Sequence, residues 1–234
     1  MEIHSLEENE QDTNVLKITA LKPAVKNEHR VNIFVNEKYE FSLDLAQVVD
    51  YKIKVGTTLT QEKLEELKHA SEFGKLYQRT LEWTLTRPHS VKETRDYLRR
   101  KRSKREAENR IKEKHIPIFS DDDIEKIIGI LIERKYLNDY NFTKYYLENK
   151  NVKKGASLKK LKLDLMKKGI DKVVIEEILA SENPRNDEEE IQKIIAKKRK
   201  KYDDEKLIQY LVRQGFDFQL ARAAVSETDS QSSA

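Results

Sequence analysis

The side chains of this chain best suited to metal binding or proton transfer are five histidines, His4, His29, His69, His89 and His115. No two of them stand four residues apart, so the paired ligands of a helical metal site are missing. Asp121-Asp122-Asp123 resembles a cation site, but it follows Ser120 where a helix is predicted to begin, and acids there complement the helix dipole. With no cysteine in the chain, a thiolate nucleophile, a thiolate metal site and a disulfide framework are excluded. Six glycines form neither Gly-x-Gly-x-x-Gly nor Gly-x-x-x-x-Gly-Lys-Ser/Thr, so no dinucleotide fold or phosphate loop is signalled. Lacking an activated nucleophile or a buried carboxylate pair, the sequence reads as a binding protein, with no enzymatic activity and no cofactor.

The groups left to do chemistry are cations and aromatics. Lys and Arg number 46 against 42 Asp and Glu, but they are unevenly placed, because residues 1–12 carry five acids and no base. From Ser90 to Lys114 there are 11 basic and 5 acidic residues, and from Lys144 to Lys172 there are 10 and 3. A third run is Lys197-Lys198-Arg199-Lys200-Lys201. Stripes of this kind suit a phosphate backbone or an acidic protein surface. The competing reading is that they are solvated faces of Lys-rich helices. Tyr136, Tyr140, Phe142, Tyr145 and Tyr146 lie beside Lys144, Lys150, Lys153 and Lys154, a mixture able to stack bases along a basic groove. Helical spacing assigns Phe142, Tyr145 and Tyr146 to a core and leaves Tyr140 as the exposed ring.

What must position these groups is mostly helix. With 38% charged residues, six Gly and four Pro in 234, the composition argues against a turn-rich β protein and for a thin, elongated one. Residues 1–12 are expected to be disordered. Val15–Thr19, Val31–Val35 and Tyr39–Leu43 alternate as strands of a small meander turning at Asn36-Glu37-Lys38. A helical turn over 44–51 and a helix over 60–71 follow, giving an N-terminal segment at 13–72.

From Gly74 the period is helical, and it repeats. Ser157 to Asp203 and Gly169 to Gly215 are both 46 residues apart, with Ser90 opening an equivalent stretch. Each stretch begins at an N-cap (Ser90, Ser157, Asp203), with Ser90 and Glu93 forming a capping box. Two of the stretches close at a glycine placed for a left-handed C′ residue, and Asp171 and Asp217 then cap the next helix. A helix precedes and another follows each stretch, so three-helix units are predicted at 73–137, 138–182 and 183–227, with a loose tail at 228–234. Units this short should bury their apolar stripes by stacking on neighbours. The first unit carries an extra charged segment at 103–119, read as an extension of its second helix into solvent that ends near Pro117. The fold class is therefore mostly α: tandem three-helix repeats forming an elongated curved array, with a small β-containing N-terminal extension.

This order of pieces resembles the RecX family of regulatory proteins. The resemblance rests on Arg87-Pro88-His89-Ser90 with Tyr97-Leu98-Arg99, on Tyr136-Leu137-Asn138-Asp139, on Lys154-Gly155-Ala156-Ser157 through Lys167-Lys168-Gly169-Ile170, and on Leu211-Val212-Arg213-Gln214-Gly215-Phe216. Gly56-Thr57-Thr58-Leu59 and the strands before it look like the extension of longer members. The insertion departs from the short turn of the family. No stretch is apolar enough to cross a membrane and the acidic start lacks the features of a signal peptide, so a cytoplasmic chain is expected. The resemblance implies a non-enzymatic modulator of the RecA recombinase, binding its filament on single-stranded DNA and restraining strand exchange and coprotease activity. Candidate contacts are Arg95, Arg99, Arg100, Arg102, Tyr140, Lys153, Lys154, Lys159, Lys160, Lys198 and Arg199. Expected partners are the RecA filament and, weakly or through it, single-stranded DNA; no membrane partner is expected and a monomer is. A general nucleic-acid-binding repeat module and a protein adaptor without DNA contact remain open.

Overall fold

The computed structural model describes residues 15–25, 27–112, 116–150, 155–181 and 186–232. The acidic segment 1–12 and the pair Lys153 and Lys154 lie outside them. The chain divides into two compact units, one of 1–80 with 102–123 and one of 81–101 with 124–234, so three helices cross the division.

The first unit holds a four-stranded antiparallel sheet of β1 (Leu16–Ala24), β2 (Asn27–Val35), β3 (Lys38–Asp44) and β4 (Thr58–Leu59), in the order β3-β2-β1-β4. Three strands were legible as alternation, whereas β4 is too short to show any. Asn36 and Glu37 both take positive φ, 47° and 66°, forming the tight hairpin turn whose twist suits flanking strands. That fixes the register of Val35 opposite Lys38 and turns Ile33, Val35, Phe41 and Leu43 inward with Ile18. Leu64 and Leu67 of α2 (Gln61–Leu85) complete this core. The short helix α1 (Leu45–Asp50) is opened by a reciprocal capping box between Asp44 and Gln47.

Two expectations for α2 and α3 need correction. The sequence places a break before Gly74, yet α2 runs on through it to Leu85. Gly74 is a point of close approach, since a Cβ there would lie 3.1 Å from the Gln47 amide, whose Nε2 donates to the Ala70 carbonyl at 2.8 Å. The charged insertion does continue the second helix, α3 (Val91–Lys112), but it does not project freely. Arg105 pairs with Glu72 and lies over the Phe119 ring, and Asn109 donates to the Ile116 carbonyl at 2.7 Å. Its charges are thus partly spent in holding it to its own unit.

The remaining helices are α4 (Asp121–Glu133), α5 (Asp139–Lys150), α6 (Leu158–Lys167), α7 (Lys172–Ser181), α8 (Asp187–Lys198), α9 (Asp204–Arg213) and α10 (Phe218–Ser232). They form tandem three-helix repeats, of which α5-α6-α7 and α8-α9-α10 are the regular ones. With no Gly or Pro between 218 and 232 to stop it, α10 continues through the Ser-rich stretch expected to be loose. Each regular repeat builds its own core: Phe142, Leu147, Leu161, Leu165, Ile175 and Ile178 in one, Ile191, Ile195, Leu207, Leu211, Phe216 and Ala221 in the other. The expectation that apolar stripes are buried chiefly by stacking is therefore wrong. Three helices suffice to enclose a cluster, and hydrogen bonds between helix ends are added at the junctions.

Candidate functional site

The second helices α3, α6 and α9 carry most of the candidate cations, and their ends meet. Ser157 is the N-cap of α6, its Oγ accepting from Lys160 N, while its own N–H donates to the Gln214 carbonyl at the end of α9 at 3.0 Å. Lys160 Nζ donates to the Arg213 carbonyl at 2.8 Å. The same helix ends meet one repeat earlier, through different donors. Ser90 Oγ, which accepts from Glu93 N, donates to the Lys168 carbonyl at 2.8 Å, and Lys92 Nζ donates to the Lys167 carbonyl at 2.8 Å. Each second helix thus sets its N-terminus on the C-terminus of the next, joining the positive end of one dipole to the negative end of another. First-turn amides are filled from the first helices, Val91 N–H by Asp139 and Leu158 N–H by Asp187.

Two glycines make this seating possible. Gly169 and Gly215 have φ of 81° and 88°, as a C′ position requires. A Cβ on Gly169 would stand 2.7 Å from Lys92 Cβ, and one on Gly215 would stand 2.7 Å from Ser157 Oγ. Asp171 and Asp217 cap the following helices as expected, accepting from Val173 N and Gln219 N. At the earlier junction Glu93 does not reach back to the Ser90 backbone, so the capping box is half made. Its carboxylate is drawn away by Lys168, by Arg87 Nη1 at 3.1 Å and by His89 Nδ1 at 3.3 Å. Burial alone would raise the Glu93 carboxyl, but the hydrogen bond from Lys168 and the charge of Arg87 hold it below its ordinary value. His89 is stacked on Trp83, which stacks in turn on Tyr97, and burial followed by the Arg87 charge lowers its pKa.

Many of the candidates are committed to contacts of their own. Arg95 holds Glu125 through Nε and Nη2, at 2.6 and 2.8 Å, and Arg99 lies in the field of the same carboxylate. Arg102 pairs with Asp121 at 3.0 Å, Lys160 serves the junction, and Arg199 pairs with Asp204 at 2.6 Å. Lys198 sits over the Tyr202 and Tyr210 rings, 5.2 and 4.6 Å from their centroids. Tyr140, expected to be exposed, is partly buried against the α5-α6-α7 core with Lys144 over its ring. Tyr145 is half-buried, whereas Phe142 and Tyr146 are core as expected. Arg100 and Lys159 are exposed, and no side chain among the described residues pairs with them.

Sequence reasoning missed two equivalents of Arg100. Ser90 to Ser157 and Arg100 to Lys167 are both 67 residues apart, and Lys167 to Arg213 repeats the offset of 46. All three cations are exposed at the same position of successive second helices, and aligning the repeats fully would have found them. A C-terminal dipole accounts for a cation at the ends of α6 and α9. It does not account for Arg100, which lies mid-helix in α3.

Asp123 is part of a cap and not of a cation site. Its Oδ2 accepts from Ser120 N and Oγ, both at 2.9 Å, and lies 3.1 Å from His69 Nε2. Among the described residues no group of three or more His, Asp or Glu is placed to hold a metal ion, and no helix is long and apolar enough to cross a membrane.

A family model described as the regulatory protein RecX N-terminal domain matches residues 16–60, the sheet and α1. The regulatory protein RecX of Listeria monocytogenes serovar 1/2a is 30% identical over 225 residues, covering 92% of this chain and 77% of that one. RecX of Bacillus licheniformis is 31% identical over 219 residues, covering 91% and 77%. A crystal structure of a regulatory protein RecX superimposes with a TM-score of 0.60 at 21% identity, over 88% of this chain and 96% of the other, a likeness of fold.

Proposed function

Because the chain belongs to the RecX family of regulatory proteins, we propose that it is a non-enzymatic, cytoplasmic regulator that binds the RecA recombinase and its filament on single-stranded DNA and restrains strand exchange, ATP turnover and coprotease activity in DNA repair. The observation that carries this reading is the recurrence of one exposed cation, Arg100, Lys167 and Arg213, on second helices seated end to end. A repeated charge on a repeated scaffold suits a repeated ligand, which is what a filament offers. Internally paired cations such as Arg95 and Arg102 serve the fold first. An exposed pair is held weakly, so Arg95 and Arg99 can still contribute to the field met by DNA.

The test is filament binding by charge-reversed full-length chains. Arg100→Glu with Lys167→Glu should weaken binding to recombinase filaments about tenfold or more and flatten the salt dependence, since each lost phosphate or carboxylate contact lowers the slope. Unchanged affinity and slope would remove the cationic row from the reading. A tight complex with single-stranded DNA in the absence of recombinase would favour the nucleic-acid module instead.

A further inference from the structure

Beside the junction of α6 and α9 lies a cleft of about 350 Å³ whose surface is not uniformly basic. Lys159 and Lys167 stand on its rim, while Leu163, Val212 and the buried Phe216 line it. Leu163 and Val212 are 48% and 42% exposed, and Met166, one turn beyond Leu163, is 49% exposed. The one carboxylate of the lining, Asp164, is hydrogen-bonded to the Tyr146 hydroxyl. The corresponding positions of α3 carry Asp96 where α6 has Leu163 and Glu93 where α6 has Lys160. The α3–α6 junction keeps the basic pair as Lys92 and Arg100 and apolar residues at Met166 and Ile170, so what sets the α6–α9 junction apart is the aliphatic Leu163 in place of a carboxylate.

The geometry points to a docking site for an acidic amphipathic segment of a protein partner, its apolar side chain lying against Leu163 and Val212 and its carboxylates meeting Lys159 and Lys167. This rests on the functional reading above and assigns this face to the recombinase protein, not to DNA. A phosphate backbone would pair with the lysines but leave the aliphatic floor uncovered, and the cleft offers no exposed ring for a base to stack on, Phe216 being 3% exposed. A segment with acids on one side and an aliphatic anchor on the other satisfies both parts, in the manner of an interface with an apolar centre and a charged rim.

The experiment compares binding of the full chain to DNA-free RecA and, separately, to a single-stranded oligonucleotide by fluorescence anisotropy. Leu163→Gln with Val212→Gln, which add no charge beside the cationic row, should weaken the recombinase complex at least about tenfold, as loss of a central anchor does, and leave oligonucleotide affinity within about twofold. Both positions are half exposed, so an unchanged thermal midpoint is expected, and Leu163→Ala with Val212→Ala gives a smaller loss in the same direction should the amide pair perturb folding. Lys159→Glu with Lys167→Glu should also weaken the recombinase complex and reduce its salt dependence. Recombinase affinity unchanged in the leucine and valine variants, or an equal loss on the oligonucleotide, overturns the inference while leaving the functional reading standing. A wild-type chain with no affinity for RecA overturns the functional reading itself, and the inference with it.

Discussion

At the scale of single residues the molecule depends on a few groups that serve two helices at once. Glu93 is the clearest, taking Lys168, Arg87 and His89 on one half-buried carboxylate. Glu93→Gln keeps the shape but removes the charge, and should cost about 1–3 kcal/mol in urea unfolding, because the cations it faces lose their partner. The same site sets a pH dependence. His89 has a folded pKa below its ordinary 6.5, so on acidification the unfolded chain takes up a proton first and stability falls as pH drops below about that value. Glu93, also depressed, stabilises above its ordinary 4.5 and loses that contribution as pH falls through its folded value. The two act in the same direction. Thermal midpoints should therefore decline from about pH 6.5 downward, and His89→Asn should remove the earlier part of the decline while leaving the later one.

At the scale of elements, the junctions between repeats set the demands on sequence. Gly169→Ala and Gly215→Ala each combine left-handed strain with a Cβ 2.7 Å from a neighbouring helix, and each should destabilise by about 1–3 kcal/mol in denaturant titrations. Gly129 lies mid-helix in α4 with open space around it, and Gly129→Ala should stabilise by about 0.5–1 kcal/mol. These elements were largely legible in the sequence, because caps and closing glycines act locally: Ser157, Asp203, Asp171 and Asp217 each hold the amides their spacing predicts. What escaped were features decided by distant partners. Gly74 reads locally as a stop, and only the Gln47 side chain against it explains an unbroken α2. The pull of Lys168 on Glu93 comes from the next repeat, 75 residues away, and no local pattern encodes it. The candidate site was legible as a charge type and not as a set of contacts, since spacing does not show that Arg95 is occupied by Glu125 or Lys160 by a helix end.

At the scale of the whole molecule, a formal net charge of +4 hides the division of labour among 46 cations. Among the described residues, those that bind carboxylates or carbonyls hold the helices in place, and the exposed ones include Arg100, Lys167 and Arg213, at the same position of each second helix. Salt should therefore weaken partner binding much more than it weakens folding, because exposed charges are screened at physiological ionic strength while half-buried pairs are screened less. Binding and unfolding titrations run in parallel from low to moderate salt would separate the two.

The central claim, that this chain recognises a recombinase filament and not DNA alone, is tested most directly by the single-stranded-DNA-dependent ATPase rate of RecA. The full chain would be titrated from well below to near the recombinase concentration, with a parallel series at excess DNA. The account predicts inhibition at substoichiometric protein that persists when DNA is in excess. No inhibition, or inhibition that disappears once DNA is abundant, would contradict it and leave competition for the strand as the explanation of the basic faces.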